Sequence, residues 1–234
     1  MSEDFAADVA SVAALGEPVR RDLYRYVVAQ DEPVSREAAA AATGIAHHVA
    51  KFNLDKLVAE GLLEVEYRRP PGRGGPGAGR PAKLYRRAGR DISVSLPERR
   101  YDLAGQVLAE AVTVAARDGV PVGEALREAA RTTGRVLGEE RGPGDAPLDL
   151  MSVLERNGYE PRTADGEVVL ANCPFHRLAG QYTELVCGMN LDLIDGLLTV
   201  VGAQGRCARL DPGPGRCCVT IGEPGQRTSS SNSE

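Results

Sequence analysis

The chain has 234 residues, 42% of them hydrophobic and 26% charged, which is the composition of an ordinary globular protein of one or two domains. It contains no stretch of about eighteen apolar residues, and its acidic first residues do not form a signal peptide. We therefore expect a cytoplasmic protein with no membrane partner. The net charge of −5 is unevenly distributed, because residues 16–90 carry an excess of five basic residues and residues 91–234 an excess of seven acidic ones.

Residues 1–90 show the periodicity of three helices followed by two strands. We predict helices at 17–30, 36–42 and 46–60 and strands at 62–67 and 83–87. Ser35 is placed to cap the second helix, Gly44 allows a tight corner before the third, and Gly61 ends the third. Three helices followed by a β-hairpin is the order of a winged helix-turn-helix, whose third helix enters the major groove of DNA.

The loop between the two strands is rich in Gly, Pro and Arg, and residues 68–90 contain eight basic residues and no acidic one. Such a loop is usually a disordered linker, but its position between two strands favours a DNA-binding wing that neutralises phosphates. The predicted DNA contacts of the wing are Arg68, Arg69, Arg73, Arg80 and Lys83. The predicted contacts on the outward side of the third helix are His47, His48, Lys51 and Asn53. The two histidines and the asparagine are equally consistent with solvated surface.

Residues 91–146 are predicted to be mostly helical. Apolar residues recur at helical spacing in 97–117 and in 121–138, whereas 141–147 has the composition of a loop or hinge. These helices either cover the core of the back domain or form a twofold interface. Because winged-helix proteins commonly bind two half-sites as dimers, we predict a dimerisation segment and a homodimer.

Residues 147–222 combine helices and strands. The predicted elements are a helix at 148–156, strands near 159–163 and 168–171, helices at about 175–185 and 190–201, and strands at 206–210 and 216–221. The sequence Ala164-Asp165-Gly166 predicts a hairpin turn between the first two strands. The polar residues 223–234 are predicted to be a disordered tail.

All five cysteines lie in this last part of the chain, where metal binding or redox chemistry is more common in a cytosolic protein than a disulfide framework. No two of them form a Cys-x-x-Cys pair, which disfavours zinc, whereas thiolates from separate elements suit an iron–sulfur cluster. Neighbouring side chains of a regular strand face opposite sides, so at most one of Cys217 and Cys218 is expected to ligate. The predicted ligands are Cys173, Cys187, Cys207 and Cys217, with Cys218 and His176 as further candidates. Ordinary burial of each cysteine is the alternative.

Four stretches carry a family resemblance: ALGEPVRRDLYRYVV, FNLDKLVAEGLLEVEYRR, GPGAGRPAKLYRR and NCPFHRLA…LVCGMNLDLIDGLL…ARLDPGPGRCCV. Over about residues 14–221 the chain resembles ArsR-type winged-helix regulators with a cysteine-bearing C-terminal domain. Within that group it is similar to the iron–sulfur-sensing SufR repressors of cluster-assembly operons. Of their three cysteines, the first two correspond to Cys173 and Cys187 and the third to Cys217 or Cys218, while Cys207 has no clear counterpart.

The resemblance implies a dimeric repressor whose [4Fe-4S] or [2Fe-2S] cluster controls its affinity for a double-stranded DNA operator, with loss or oxidation of the cluster weakening binding. A thiol–disulfide, zinc or haem sensor of the same architecture is the alternative. An enzyme is disfavoured, since GRGGPG is not followed by the helix that a nucleotide loop requires. The expected fold is α+β: a winged helix-turn-helix (1–90), a helical dimerisation segment (91–146), a C-terminal α+β cluster-binding domain (147–222) and a tail (223–234).

Overall fold

A computed structural model describes residues 3–68, 81–203 and 205–224. The chain divides into two compact units, residues 1–94 and residues 95–234. Unit 1 therefore contains the predicted winged helix-turn-helix, and unit 2 contains all five cysteines.

Within residues 3–68 and 81–94, unit 1 has four helices and a small sheet. Its elements are α1 (Glu3–Ala14), α2 (Pro18–Val28), β1 (Val34–Ser35), α3 (Arg36–Thr43), α4 (His47–Ala59), β2 (Leu63–Arg68) and β3 (Ala82–Arg87). The three strands are antiparallel in the order β1-β3-β2. The side chain of Ser35 accepts a hydrogen bond from the N–H of Ala38 at 3.1 Å and so caps α3 as predicted. The helix ends at Gly44, whose φ of 68° is the left-handed conformation that glycine adopts freely.

The core of unit 1 forms where α2 and α4 pack against the sheet. Leu23, Leu54, Leu57 and Tyr85 are fully buried. On α4, Ala50 is also buried and shares a face with Leu54 and Leu57, because residues three and four apart lie on one side of a helix. Burial of each leucine side chain contributes about 1.5–3 kcal/mol. The opposite face of α4 is thereby left to solvent.

Unit 2 is an α+β domain. Its elements are α5 (Tyr101–Asp118), α6 (Val122–Gly138), a 3-10 turn (Pro143–Asp145), α7 (Leu150–Arg156), β4 (Pro161–Ala164), β5 (Glu167–Leu170), α8 (His176–Gln181), α9 (Thr183–Leu198), β6 (Cys207–Leu210) and β7 (Val219–Gly222). The strands form one antiparallel sheet in the order β4-β5-β7-β6. The predicted turn joins β4 to β5, with Asp165 and Gly166 both at positive φ, as a two-residue hairpin of the primed type requires.

The helices of unit 2 share one core with its sheet. Leu126 and Ala130 of α6 belong to the same buried cluster as Leu193 and Leu197 of α9. The predicted helical segment 91–146 is therefore packed on the cysteine-bearing part instead of forming a separate body. Dimerisation is not tested by this packing.

Several elements differ from the sequence-based expectation. Neither α1 nor the two-residue strand β1 was anticipated. The predicted break between two helices near Gly188 is wrong, because this residue lies inside the continuous helix α9. No close packing requires a glycine there, since an added Cβ would meet nothing within 4 Å. The chain instead leaves helical geometry at Tyr182, between α8 and α9. The last predicted strand begins later than expected, at Val219, so Cys217 and Cys218 precede it.

Candidate nucleic-acid interface and cysteine site

The exposed face of α4 carries basic residues. His47, His48 and Lys51 are exposed there, as predicted for an outward-facing surface. The Nε2 atom of His47 lies 3.0 Å from a carboxylate oxygen of Glu37, which ties the start of α4 to α3. Phe52, which the sequence reasoning passed over, follows Lys51 and is 67% exposed.

The prediction that Asn53 lies on the outward side of α4 is wrong. Its side chain is only 6% exposed, and its amide Nδ2 donates to the backbone oxygen of Val49 at 3.0 Å. The physical reason is helical spacing: Asn53 lies three residues after buried Ala50, on the side of the helix that faces the core. Its amide is thus occupied within its own helix.

Two predicted wing residues lie in the described part of the chain, and both have acidic partners. Lys83 donates to Asp55 at 2.5 Å and lies 5.1 Å from the centroid of the Tyr85 ring. The Tyr85 hydroxyl also donates to Asp55, at 2.8 Å, so these side chains join β3 to α4. Arg68 is exposed and pairs with Glu66 at 3.0 Å and Glu32 at 3.1 Å. Predicted contacts Arg69, Arg73 and Arg80 lie outside the described residues.

Four cysteines of unit 2 form two sulfur pairs, and the chain neighbours Cys217 and Cys218 belong to different pairs. Cys187, in the second turn of α9, is disulfide-bonded to Cys218, with their Cα atoms 6.5 Å apart. The side chains of Cys173 and Cys217 share a hydrogen bond with each other. Cys217 and Cys218 both lie before β7, outside the regular strand. The expectation that at most one of them ligates assumed a strand from residue 216, whereas β7 begins at Val219; which of the two ligates stays a prediction.

The surroundings of Cys173 and Cys217 are buried and polar. The hydrogen bond from Cys217 lowers the pKa of Cys173, and the positive charge of Arg99 lowers it further. Together the lowering effects outweigh burial, which by itself would raise the pKa. The pKa of Cys217 is raised by this hydrogen bond and by burial. The amide Nδ2 of Asn190 lies 3.3 Å from the Cys217 sulfur, while the buried Tyr159 hydroxyl donates to the Asn190 side-chain oxygen.

The other two predicted ligands lie apart from these sulfurs. Cys207 begins β6 and pairs with Gly222 at one end of the β6–β7 ladder, whereas Leu210 pairs with Val219 at the other end, next to Cys218. The two ends are three residue pairs apart, which is about 10 Å at the usual strand rise. His176 has an exposed side chain, although its backbone N–H donates to the Cys173 oxygen at 3.1 Å. Within residues 3–68, 81–203 and 205–224, no three His, Cys, Asp or Glu side chains are arranged to hold a metal ion. In this structure the sulfurs of Cys187 and Cys218 are bonded to each other.

The sequence reasoning also missed Arg99, Tyr159 and Asn190. They lie 74, 14 and 17 positions away from Cys173, so no local spacing links them to it. An asparagine in the middle of a helix and an arginine before one are ordinary surface residues by sequence pattern. Only the folded unit brings them to the sulfurs.

The geometry of unit 1 defines a class of protein. Helices α2 to α4 packed on a three-stranded antiparallel sheet, with a basic exposed face on α4, form a winged helix-turn-helix, the fold of many DNA-binding transcriptional regulators. Residues 15–66 match the family model described as a helix-turn-helix domain. Together they support a winged-helix, DNA-binding transcriptional regulator.

Comparison with curated proteins gives no match, and comparison with solved structures also gives none. In the described part of the chain, no helix has both the length and the apolarity that crossing a membrane requires.

Proposed function

We propose that this chain is a cytoplasmic, homodimeric repressor whose affinity for a double-stranded DNA operator is controlled by an iron–sulfur cluster held in unit 2. The observation that carries the proposal is the presence of two cysteine pairs, Cys173 with Cys217 and Cys187 with Cys218, that are joined by the adjacent residues 217 and 218. The proposed ligands are Cys173, Cys187, Cys217 and Cys218. Cys218 replaces Cys207 in this set because Cys207 lies at the far end of the β6–β7 ladder.

The donor set fits the chemistry of such a group. Iron–sulfur clusters are held by cysteine thiolates, commonly four of them, at spacings that vary between proteins. The lowered pKa of Cys173 favours its thiolate, and the guanidinium of Arg99 supplies a positive charge nearby. The amide of Asn190 is a donor within reach of the Cys217 sulfur, and hydrogen bonds to ligating sulfurs tune redox potential. A bound cluster would supply the redox-sensitive or oxidant-labile element.

The chain's own residues would carry the response. Cys187 lies on α9, and α9 packs along α6 over much of its length. Cys218 lies at the turn end of the β6–β7 hairpin, where its backbone oxygen accepts from the Asp211 N–H at 2.7 Å. The bonding state of these two sulfurs sets how the first turns of α9 are tied to the hairpin. A regulator needs two such states with different contacts.

Operator binding is supported by the basic face of α4 and by the charge of residues 16–90. Lys51 is exposed there and residues 16–90 carry an excess of five basic residues. Replacement of Arg69, Arg73 and Arg80 together by Ala is expected to weaken binding and to reduce the slope of log affinity against log salt by about three. An unchanged slope contradicts the wing assignment.

The homodimer is supported by apolar side chains on the surface of unit 2. Val112 of α5 and Val122 and Val136 of α6 are each more than half exposed. Sedimentation of the full chain at micromolar concentration is expected to give twice the monomer mass of 24.8 kDa. A monomer bound to a single half-site contradicts this part of the proposal.

Anaerobic purification or reconstitution tests the cluster. The wild type is expected to be brown and to contain iron and acid-labile sulfide in equal amounts, and each Cys→Ser change at 173, 187, 217 or 218 is expected to lower both. The matched control is Cys207→Ser, which removes a thiol of the same unit outside the group and is expected to keep the full content. A colourless wild-type protein after reconstitution contradicts the proposal. Loss of iron in Cys207→Ser but not in Cys218→Ser contradicts the ligand set.

A thiol–disulfide switch is the second candidate, and the Cys187–Cys218 bond specifically favours it. In that case operator affinity responds to dithiothreitol and to peroxide in protein that never contains iron. Cys187→Ser and Cys218→Ser then abolish the response equally, whereas Cys173→Ser leaves it intact. A response that depends on all four cysteines and on iron distinguishes the cluster from the switch.

A further inference from the structure

Phe52 is an apolar side chain on a surface where folding does not use it. It is 67% exposed, more than any other large apolar side chain in the described part of unit 1. By contrast, Phe175 in unit 2 is fully buried. An aromatic ring left in water contributes little to folding, because the stabilisation comes from removing its area from water. Phe52 is therefore available for contact with a partner outside the fold.

The position of Phe52 on α4 indicates the chemistry of that partner. His48 and Lys56 lie four residues before and after it, on the same side of the helix, and Lys51 is its neighbour; all three are exposed. Two carboxylates lie close on this side: Asp55 pairs with Lys83 and Glu60 with Lys56, each at 2.5 Å. An apolar ring beside exposed basic side chains is complementary to a polyanion that presents an apolar group between its charges.

In the major groove of DNA that apolar group is the 5-methyl of thymine. The phosphates flank the groove, and each thymine methyl projects from the base edges into it. Apolar side chains, phenylalanine among them, recognise thymine by contact with this methyl. Because α4 is the third helix of the winged helix-turn-helix, its exposed face is the one that would meet base edges.

We propose that Phe52 is a specificity-determining residue that recognises one thymine in each operator half-site through contact with the 5-methyl group. This inference rests on the proposed DNA binding and adds to it a base and the side chain that recognises it. The neighbouring cations position the helix on phosphates, and Phe52 distinguishes thymine from the other bases. The hydrogen-bonding groups of the thymine are not involved.

The test uses the full-length protein and a duplex selected by the wild type from a randomised library. Each thymine of the selected duplex is replaced in turn by deoxyuridine, which removes only the methyl group. At one position per half-site, the wild type is expected to bind the uridine duplex about fourfold more weakly, the change that corresponds to burial of one methyl-sized group. Phe52→Ala is expected to bind thymine and uridine duplexes equally, because it has lost the contact.

The matched control is Lys51→Ala, a change at the adjacent exposed position. It is expected to weaken binding to both duplexes by the same factor and to keep the fourfold ratio. Since both side chains are exposed, neither variant should alter the circular dichroism spectrum. Phe52→Leu, which retains an apolar side chain, is expected to keep part of the ratio.

The outcomes separate this inference from the proposed function. If the wild type binds its duplex but no uridine replacement weakens binding, or if Phe52→Ala keeps the fourfold ratio, the role of Phe52 is overturned while DNA binding stands. If Phe52→Ala changes the sedimentation of the free protein and leaves the ratio intact, Phe52 belongs to a protein interface. If the wild type selects no duplex, the proposed DNA binding itself fails and the inference fails with it.

Discussion

Two glycines make the closest helix crossing in unit 2. At Gly134 of α6, an added Cβ would lie 1.9 Å from the backbone oxygen of Leu193. At Gly196 of α9, it would lie 2.1 Å from the backbone oxygen of Arg131. Each glycine therefore permits the backbone of the other helix to approach it. We predict that Gly134→Ala destabilises unit 2.

The magnitude follows from two opposing effects. Replacing a helical glycine by alanine favours the helix by about 1 kcal/mol when there is room for the methyl group. At Gly134 the helices would have to separate by about 1.5 Å to restore ordinary contact with Leu193. Overpacking typically costs about 1–3 kcal/mol, and the upper end applies here because the obstacle is backbone, which no rotamer change moves aside. The expected net loss in free energy of unfolding is about 2 kcal/mol.

Urea denaturation of the full chain, combined with hydrogen exchange of peptides from α6 and α9, measures this loss. The matched control is Gly105→Ala in α5, where an added Cβ meets nothing within 4 Å and a gain of about 1 kcal/mol is expected. Gly196→Ala is expected to behave like Gly134→Ala. If Gly134→Ala proves as stabilising as Gly105→Ala, the two helices do not cross as described, and the placement of Cys187 on α9 loses its support.

Two further predictions concern unit 1. Ser35→Ala removes the acceptor of the Ala38 N–H and is expected to lower the free energy of unfolding by about 1 kcal/mol, measured by urea denaturation; no change would mean that the cap is absent in solution. Burial alone would raise the pKa of Asp55, but hydrogen bonds from Lys83 and Tyr85 outweigh it and lower the pKa. Because the pKa of Asp55 is lower in the folded than in the unfolded chain, the carboxylate stabilises the fold at any pH above its ordinary pKa of 3.8. This stabilisation is lost as the pH falls through the pKa of the folded state. The stability deficit of Asp55→Asn is therefore expected to shrink between pH 7 and pH 3 in urea titrations, and a constant deficit contradicts the assignment.

The sequence predicted those elements whose signals are local. Ser35 as a cap and the Asp165-Gly166 turn need only neighbouring residues, and the structure confirms both. The order of helices and strands in unit 1 followed from periodicity and from the basic loop. The helix-turn-helix match over residues 15–66 covers the three predicted helices and most of the first predicted strand.

Features set by distant contacts were not predictable from local pattern. Asn53 looked like a surface residue because it is polar, yet its position in the helical repeat faces the core. Cys217 and Cys218 were judged by the alternation of a strand that in fact starts at Val219. The surroundings of the sulfurs, such as Arg99, are brought there by folding from outside the cysteine-bearing segment.

The most direct test of the central claim is operator affinity measured in three defined states of one protein. Fluorescence anisotropy with the selected duplex, at one salt concentration, compares the cluster-loaded protein, the cluster-free reduced protein and the cluster-free protein with the Cys187–Cys218 bond. The operator affinity of the cluster-loaded state is predicted to differ from that of the other two states by at least fivefold, which is within the usual range of allosteric coupling. This difference should vanish in Cys187→Ser and persist in Cys207→Ser. Equal affinity in all three states would contradict control of DNA binding by the cysteine site.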